Sequence, residues 1–198
     1  MNREEAYKTL TKLIKNQNLI KHHLACEAVM KVLYRKLIPS ANQNPQDEEK
    51  WGIVGLLHDA DYELSRNHPE KHTLILEEKI GNKLPADVMY AIKSHNFANN
   101  KVLPKSVMDW SIYCADELTG LIIAATLVNP ASPAGGPGKK LAGVTTDFVI
   151  NRFNETSFAR GANRQQILAC EDKLKIPIRD FTELSLKAMQ LISNELGL

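Results

Sequence analysis

Cysteine is scarce in this chain: Cys26, Cys114 and Cys170 are the only three in 198 residues, far apart and without a C-x-x-C pair. An odd, scattered set excludes a disulfide framework and a cysteine-based structural zinc site, and the three read as small core residues on helices. Long hydrophobic runs are missing too. The longest, LTGLIIAATLV from Leu118 to Val128, is about half the ~20 residues that a membrane-spanning helix needs. The N-terminus, MNREEAYKTLTKLIKNQ, has no uninterrupted apolar stretch of the kind a secretory leader carries, which places the protein in the cytoplasm with no membrane partner. With 25 basic residues against 23 acidic ones, no single-sign field points to nucleic acid. Neither G-x-x-x-x-G-K-[ST] nor G-x-G-x-x-G occurs, so the chain has no phosphate loop or dinucleotide turn.

What is present is helical periodicity. Apolar residues recur every three or four positions, and no segment alternates as a half-buried strand would, so the fold class is all-α. Proline and glycine fall between the periodic segments and set helices at about 3–16, 19–38, 47–59, 69–80, 85–96, 105–129, 145–153, 162–173 and 178–196. The segment NPASPAGGPGKK cannot continue a helix. It divides a core, residues 1–129, from a loop and C-terminal helical extension, residues 130–198, packed on the same domain.

Several polar residues interrupt this pattern. In KHHLACEAVM, helical angles place His22 beside the stripe of Ala25, Ala28, Val29 and Val32, whereas His23 faces away with Met30 and Tyr34. His58 and Asp59 end an apolar run, where a carboxylate needs a partner charge or a metal. His72 falls on the second turn of a helix opened by Pro69, and His95 continues the face of Val88 and Ile92. Asp116 shares a line with Ile112, Gly120 and Ile123, where a lone carboxylate would cost several kcal/mol or take up a proton. Each has an ordinary explanation alone. Together these imidazoles and carboxylates, on five separate helices, are the donor inventory of a transition-metal site suited to Fe, Mn, Co, Ni or Zn better than to Mg.

In chain order, H…HD…D at His22, His58 with Asp59, and Asp116 resembles the signature of the HD-domain superfamily of metal-dependent phosphohydrolases. The blocks KHHLACEAVMKVL, GLLHDADYE, PEKHTLI, AIKSHN and CADELTGLI, and later SFARGANRQQI, look like successive blocks of HDIG-type HD hydrolases. Two departures are His23, where the family more often has a small polar residue, and the expanded Gly/Pro loop before Lys139.

The resemblance implies an HD-domain helical bundle in which His22, His58, Asp59 and Asp116 hold one divalent ion. His72 and His95 would hold a second, with Asp59 bridging. It further implies hydrolysis of a phosphate ester, from a nucleotide or other small phosphorylated metabolite, by a metal-activated hydroxide. Asp61 would orient that water or move its proton, or else is a solvated or capping acid. Lys140 is the first choice for binding substrate phosphate, ahead of Arg66, Lys71 and Arg160, and Asn96 would hydrogen-bond substrate or a ligand. Trp51, Tyr62 and Phe97 are stacking candidates or core. Two alternatives share the donor set: a diiron oxygenase acting on a small organic substrate, and a nonenzymatic module that keeps metal for stability and binds a nucleotide or a partner.

Overall fold

The computed structural model describes residues 1–130 and 140–198. Among them the fold is all-α, with no strand. The helices are α1 (Arg3–Leu13), α2 (Gln17–Leu37), α3 (Pro45–Leu57), α4 (Tyr62–Ser65), α5 (Leu74–Ile80), α6 (Ala86–His95), α7 (Phe97–Asn100), α8 (Val107–Val128), α9 (Thr146–Asn154), α10 (Arg164–Lys173), α11 (Ile178–Leu191) and α12 (Ser193–Leu196). Their starts follow from the sequence. Asn2 with Glu5, and Ser106 with Asp109, form reciprocal capping boxes, while Asn16, Asn44, Thr145 and Asn163 accept from orphan backbone N–H groups.

α2 and α8 are the central helices: α3, α8 and α11 pack on α2, and α6 and α10 on α8. Val29, Leu33, Leu56, Ile92, Ile112, Leu118 and Leu121 are fully buried between them. α8 is the one helix among the described residues long and apolar enough to cross a membrane, and 56% of that stretch is buried inside the fold. The segment from Ala131 to Lys139, in which the sequence suggests a loop, lies outside the described residues.

The contact that positions the site is at Gly55. A Cβ there would stand 2.5 Å from the Cys26 carbonyl oxygen and 2.6 Å from its carbon, so glycine is what lets α3 lie directly on the backbone of α2. That approach carries His58, three residues on, to the flank of His22.

Two expectations are corrected. The expected helix at about 69–80 is instead a 3-10 turn, Pro69–Lys71, a break at His72 and Thr73, and then α5. Thr73 has φ 73°, a left-handed conformation unfavourable for a β-branched residue. His23 does not face away from the core: it is 1% exposed. The angular reading assumed one buried stripe, but α2 is covered on several sides, and Met30 and Tyr34, placed on its supposed outer face, are buried as well.

Candidate metal centre

The tautomers of three histidines follow from the acceptors at their Nδ1 atoms. His58 Nδ1 lies 2.8 Å from Gly55 O and His95 Nδ1 lies 2.5 Å from Ile92 O, and since a carbonyl only accepts, both Nδ1 atoms carry the proton. His72 Nδ1 donates in the same way to Asp61 Oδ1 at 2.7 Å. All three Nε2 lone pairs are thereby turned inward, as metal-ligating histidines require.

They meet in two groups joined at Asp59. Asp59 Oδ1 is 2.8 Å from His72 Nε2 and 3.1 Å from His95 Nε2, and those two nitrogens are themselves 3.1 Å apart. Two imidazole lone pairs and a carboxylate oxygen at these distances repel unless a proton or a cation sits among them. On the other side, Asp59 Oδ2 is 3.7 Å from His58 Nε2, which lies 3.4 Å from Asp116 Oδ1. Asp116 Oδ1 is also 3.1 Å from His22 Nε2. His58 is fully buried and its Nε2 has no hydrogen-bond partner. An orphaned buried nitrogen aimed at two carboxylates fits a cation, and the donor set suits a divalent transition metal. All six residues expected as ligands therefore converge.

Without a cation, the charges compensate one another. Burial and the charge of neighbouring His58 work in opposite directions on Asp59, with His58, His72 and His95 holding its carboxyl far below the usual range. Asp116 is likewise held low against its burial by His58 and His22. Burial disfavours the imidazoliums, but Asp59, Cys26 and Asp116 raise His58 to about 9, and Asp59 and Asp61 raise His72 to about 10. A metal must displace these protons to reach the nitrogens. Metal binding at pH 7 should thus release protons, and apparent affinity should climb as pH rises above 7. Calorimetry in buffers of different ionisation enthalpy checks this; a pH-independent affinity with no proton release contradicts it.

Asp61 is neither solvated nor exposed to the reaction space. It is fully buried, and its carboxylate accepts from His72 Nδ1, from Thr73 N at 3.1 Å and from Leu76 N at 2.9 Å. It caps α5, holds the strained Thr73 backbone and fixes His72, so the expectation that it touches water is corrected. Asp61→Ala should cost about 2–4 kcal/mol, since a histidine and two backbone N–H groups lose a charged acceptor. It should also weaken metal binding in the His72/His95 half by about 10–100-fold. Denaturant unfolding and metal titration measure both effects.

Asp59, His72, His95 and Asp116 line a cavity of about 530 Å³ together with Tyr62, Arg66, Asn96, Asn99, Glu117 and Gln166 among others. Arg66 lines it, and among the described residues its guanidinium forms no ion pair or hydrogen bond. Asn96 lines it too, but its amide donates to Pro69 O at 3.2 Å and His72 O at 3.4 Å while its oxygen accepts from Asn99. Asn96 therefore ties down the His72 segment. Lys140 is not at this cavity. It leads into the turn Leu141–Gly143, held by Asn129 through Gly143 O beyond the end of α8. At ~1.5 Å per residue that end is about 20 Å along the axis from Asp116. Lys71 and Arg160 are sequence neighbours of the lining residues Pro69 and Gly161 but do not line the cavity themselves. Trp51 is 6% exposed and packs edge-on to Tyr34, as core, and of the three aromatic candidates only Tyr62 reaches the cavity.

Three residues were not singled out by sequence. Glu117, next to Asp116, is raised to about 7 by burial and by the charge of Asp116, and accepts from Asn163 N at 2.9 Å. Arg164 donates to the carbonyls of Ala159 and Ala162, each at 2.7 Å, and of Phe158 at 2.6 Å, pinning the segment whose Gly161 and Asn163 wall the cavity. Its place in SFARGANRQQI was the only hint. The third is Cys26, whose sulfur lies with the donors of His22, His58 and Asp116, all within 4.8 Å of one another. A small apolar residue on a helix gives no signal of this in sequence.

Comparison with known proteins finds no match among family models, curated proteins or solved structures. Fold and site together define an all-helical protein whose His/Asp cluster is compatible with an HD-like metal centre.

Proposed function

We propose that the chain is an HD-type phosphohydrolase that cleaves a phosphate ester with the help of two divalent ions. The observation that carries this reading is Asp59, standing with one oxygen toward each donor group at the floor of a polar cavity. When bound, such an ion pair lowers the pKa of water and neutralises charge on phosphoryl oxygens. The chain's own residues supply the rest. Gly55 O and Ile92 O orient His58 and His95, Asp61 orients His72, and Asn96 fixes the backbone behind it. Arg66, at the cavity wall, would pair with a phosphate oxygen of the substrate. Arg66 lines the cavity with no ion pair among the described residues, which favours an anionic substrate.

The test uses the full chain, stripped of metal and reloaded singly with Mn, Fe, Co, Ni, Zn or Mg, against panels of phosphate monoesters and diesters. Metal-dependent phosphate release is expected. Arg66→Ala should raise KM by about 10–100-fold with a smaller change in kcat, as loss of one charge-assisted contact requires. Oxygen uptake by the iron-loaded protein without phosphate release overturns the proposal in favour of the oxygenase. Metal that raises only thermal stability overturns it in favour of a scaffold.

A further inference from the structure

We propose that Cys26 Sγ is a ligand of the ion held by His22, His58 and Asp116, which makes this half of the centre the softer of two unequal sites. The inference rests on the metal-centre reading above and extends it to metal selectivity.

Cys26 lies one helical turn after His22 on α2, and its own carbonyl is the point where Gly55 of α3 touches that helix. Its position is thereby fixed by backbone contact. The sulfur is 3.8 Å from His22 Nε2 and 4.0 Å from Nδ1, close to the separation of about 3.6 Å expected between sulfur and nitrogen in a tetrahedral site with bonds of ~2.3 and ~2.05 Å. The fully buried His58 Nε2, which faces Asp116 and Asp59 without a hydrogen-bond partner, is an independent sign that something cationic belongs among these atoms.

The surroundings suit a bound thiolate. Thr119 Oγ1 is 3.1 Å from Cys26 Sγ and 2.8 Å from Asp116 O, so its single proton can turn from the carbonyl to the sulfur. On binding, the Cys26 thiol proton leaves to the buffer, and the sulfur electron pair goes to the metal. The other two cysteines, Cys114 and Cys170, belong to no group of metal-binding side chains among the described residues.

The two halves then differ in chemistry. His22, His58, Asp116 and Cys26 offer nitrogen, oxygen and sulfur, which favours zinc, cobalt or iron. Asp59, His72 and His95 offer only nitrogen and oxygen and accept manganese or magnesium more readily.

The test follows cobalt added to the metal-free full chain by near-ultraviolet absorption, in wild type and Cys26→Ser. A thiolate-to-cobalt charge-transfer band should grow with one equivalent in wild type and be absent from Cys26→Ser, while the visible cobalt bands persist. Zinc affinity of the variant should fall about 10–100-fold and manganese affinity stay within about twofold. Should Cys26→Ser fail to fold, X-ray absorption on zinc-loaded wild type decides alone, with one sulfur expected at ~2.3 Å. Cobalt bound without the band, or zinc without a sulfur neighbour, overturns the inference and leaves the metal centre standing. No binding of either metal overturns both.

Discussion

Asp59→Asn empties both halves of the centre at once. Asp59 is the residue that faces both donor groups, with Oδ1 toward His72 and His95 and Oδ2 toward His58. The amide removes the negative charge and turns one of the two positions into an NH2 that cannot ligate. Metal content after dialysis should fall from two ions to fewer than one, and phosphate release should drop by at least about 10³-fold if both ions act on the phosphoryl group. The metal-free variant should unfold at a lower temperature than metal-free wild type, because histidines raised by Asp59 lose their counter-charge. Elemental analysis and a thermal scan read both. Asp59→Asn protein that keeps two ions would show that the bridge is not where the geometry puts it.

The second large effect comes from a residue with no functional group. Gly55→Ala should destabilise the protein by about 1–3 kcal/mol, although alanine is the better helix former by about 1 kcal/mol. The added methyl would meet Cys26 O, Cys26 C and Glu27 N, all backbone atoms that move only if α2 and α3 separate. That separation also draws His58 away from His22, so metal affinity falls with stability. Gly120→Ala on α8 is the control. Its methyl meets nothing within 4 Å, so the same change of residue should stabilise the chain by up to about 1 kcal/mol. Denaturant midpoints of the two variants should move in opposite directions.

Sequence revealed the fold class because amphipathic period and end signals are local. Four of the six donors were legible for a related reason: His58, Asp59, His95 and Asp116 are charged or polar where an apolar residue would continue the pattern, whereas His22 only borders a core stripe and the metal role of His72 was implied by the resemblance to HD hydrolases. What failed was whatever depends on neighbours in space. His23 was placed outside by an angle calculation that treats α2 as one-sided, whereas α3, α8 and α11 cover it. Asp61 was expected to orient water or to be a solvated or capping acid, and only the capping role is met, because nothing local shows that His72, Thr73 and Leu76 will turn toward it. That same carboxylate breaks the expected helix at about 69–80. Lys140 was chosen for its place at the end of the Gly/Pro loop, yet the length of α8 carries it away from Asp116. The cation at the cavity, Arg66, sits in the short turn region just after Asp59, where chain proximity was the better guide.

The most direct test of the central claim is anomalous diffraction from a crystal of the full chain grown with manganese or zinc. Two peaks about 3.5–4 Å apart are expected, one beside His22, His58 and Asp116, the other beside His72 and His95, with an oxygen of Asp59 on each. A map without peaks there, with His22 and His58 turned away from Asp116, would contradict the account.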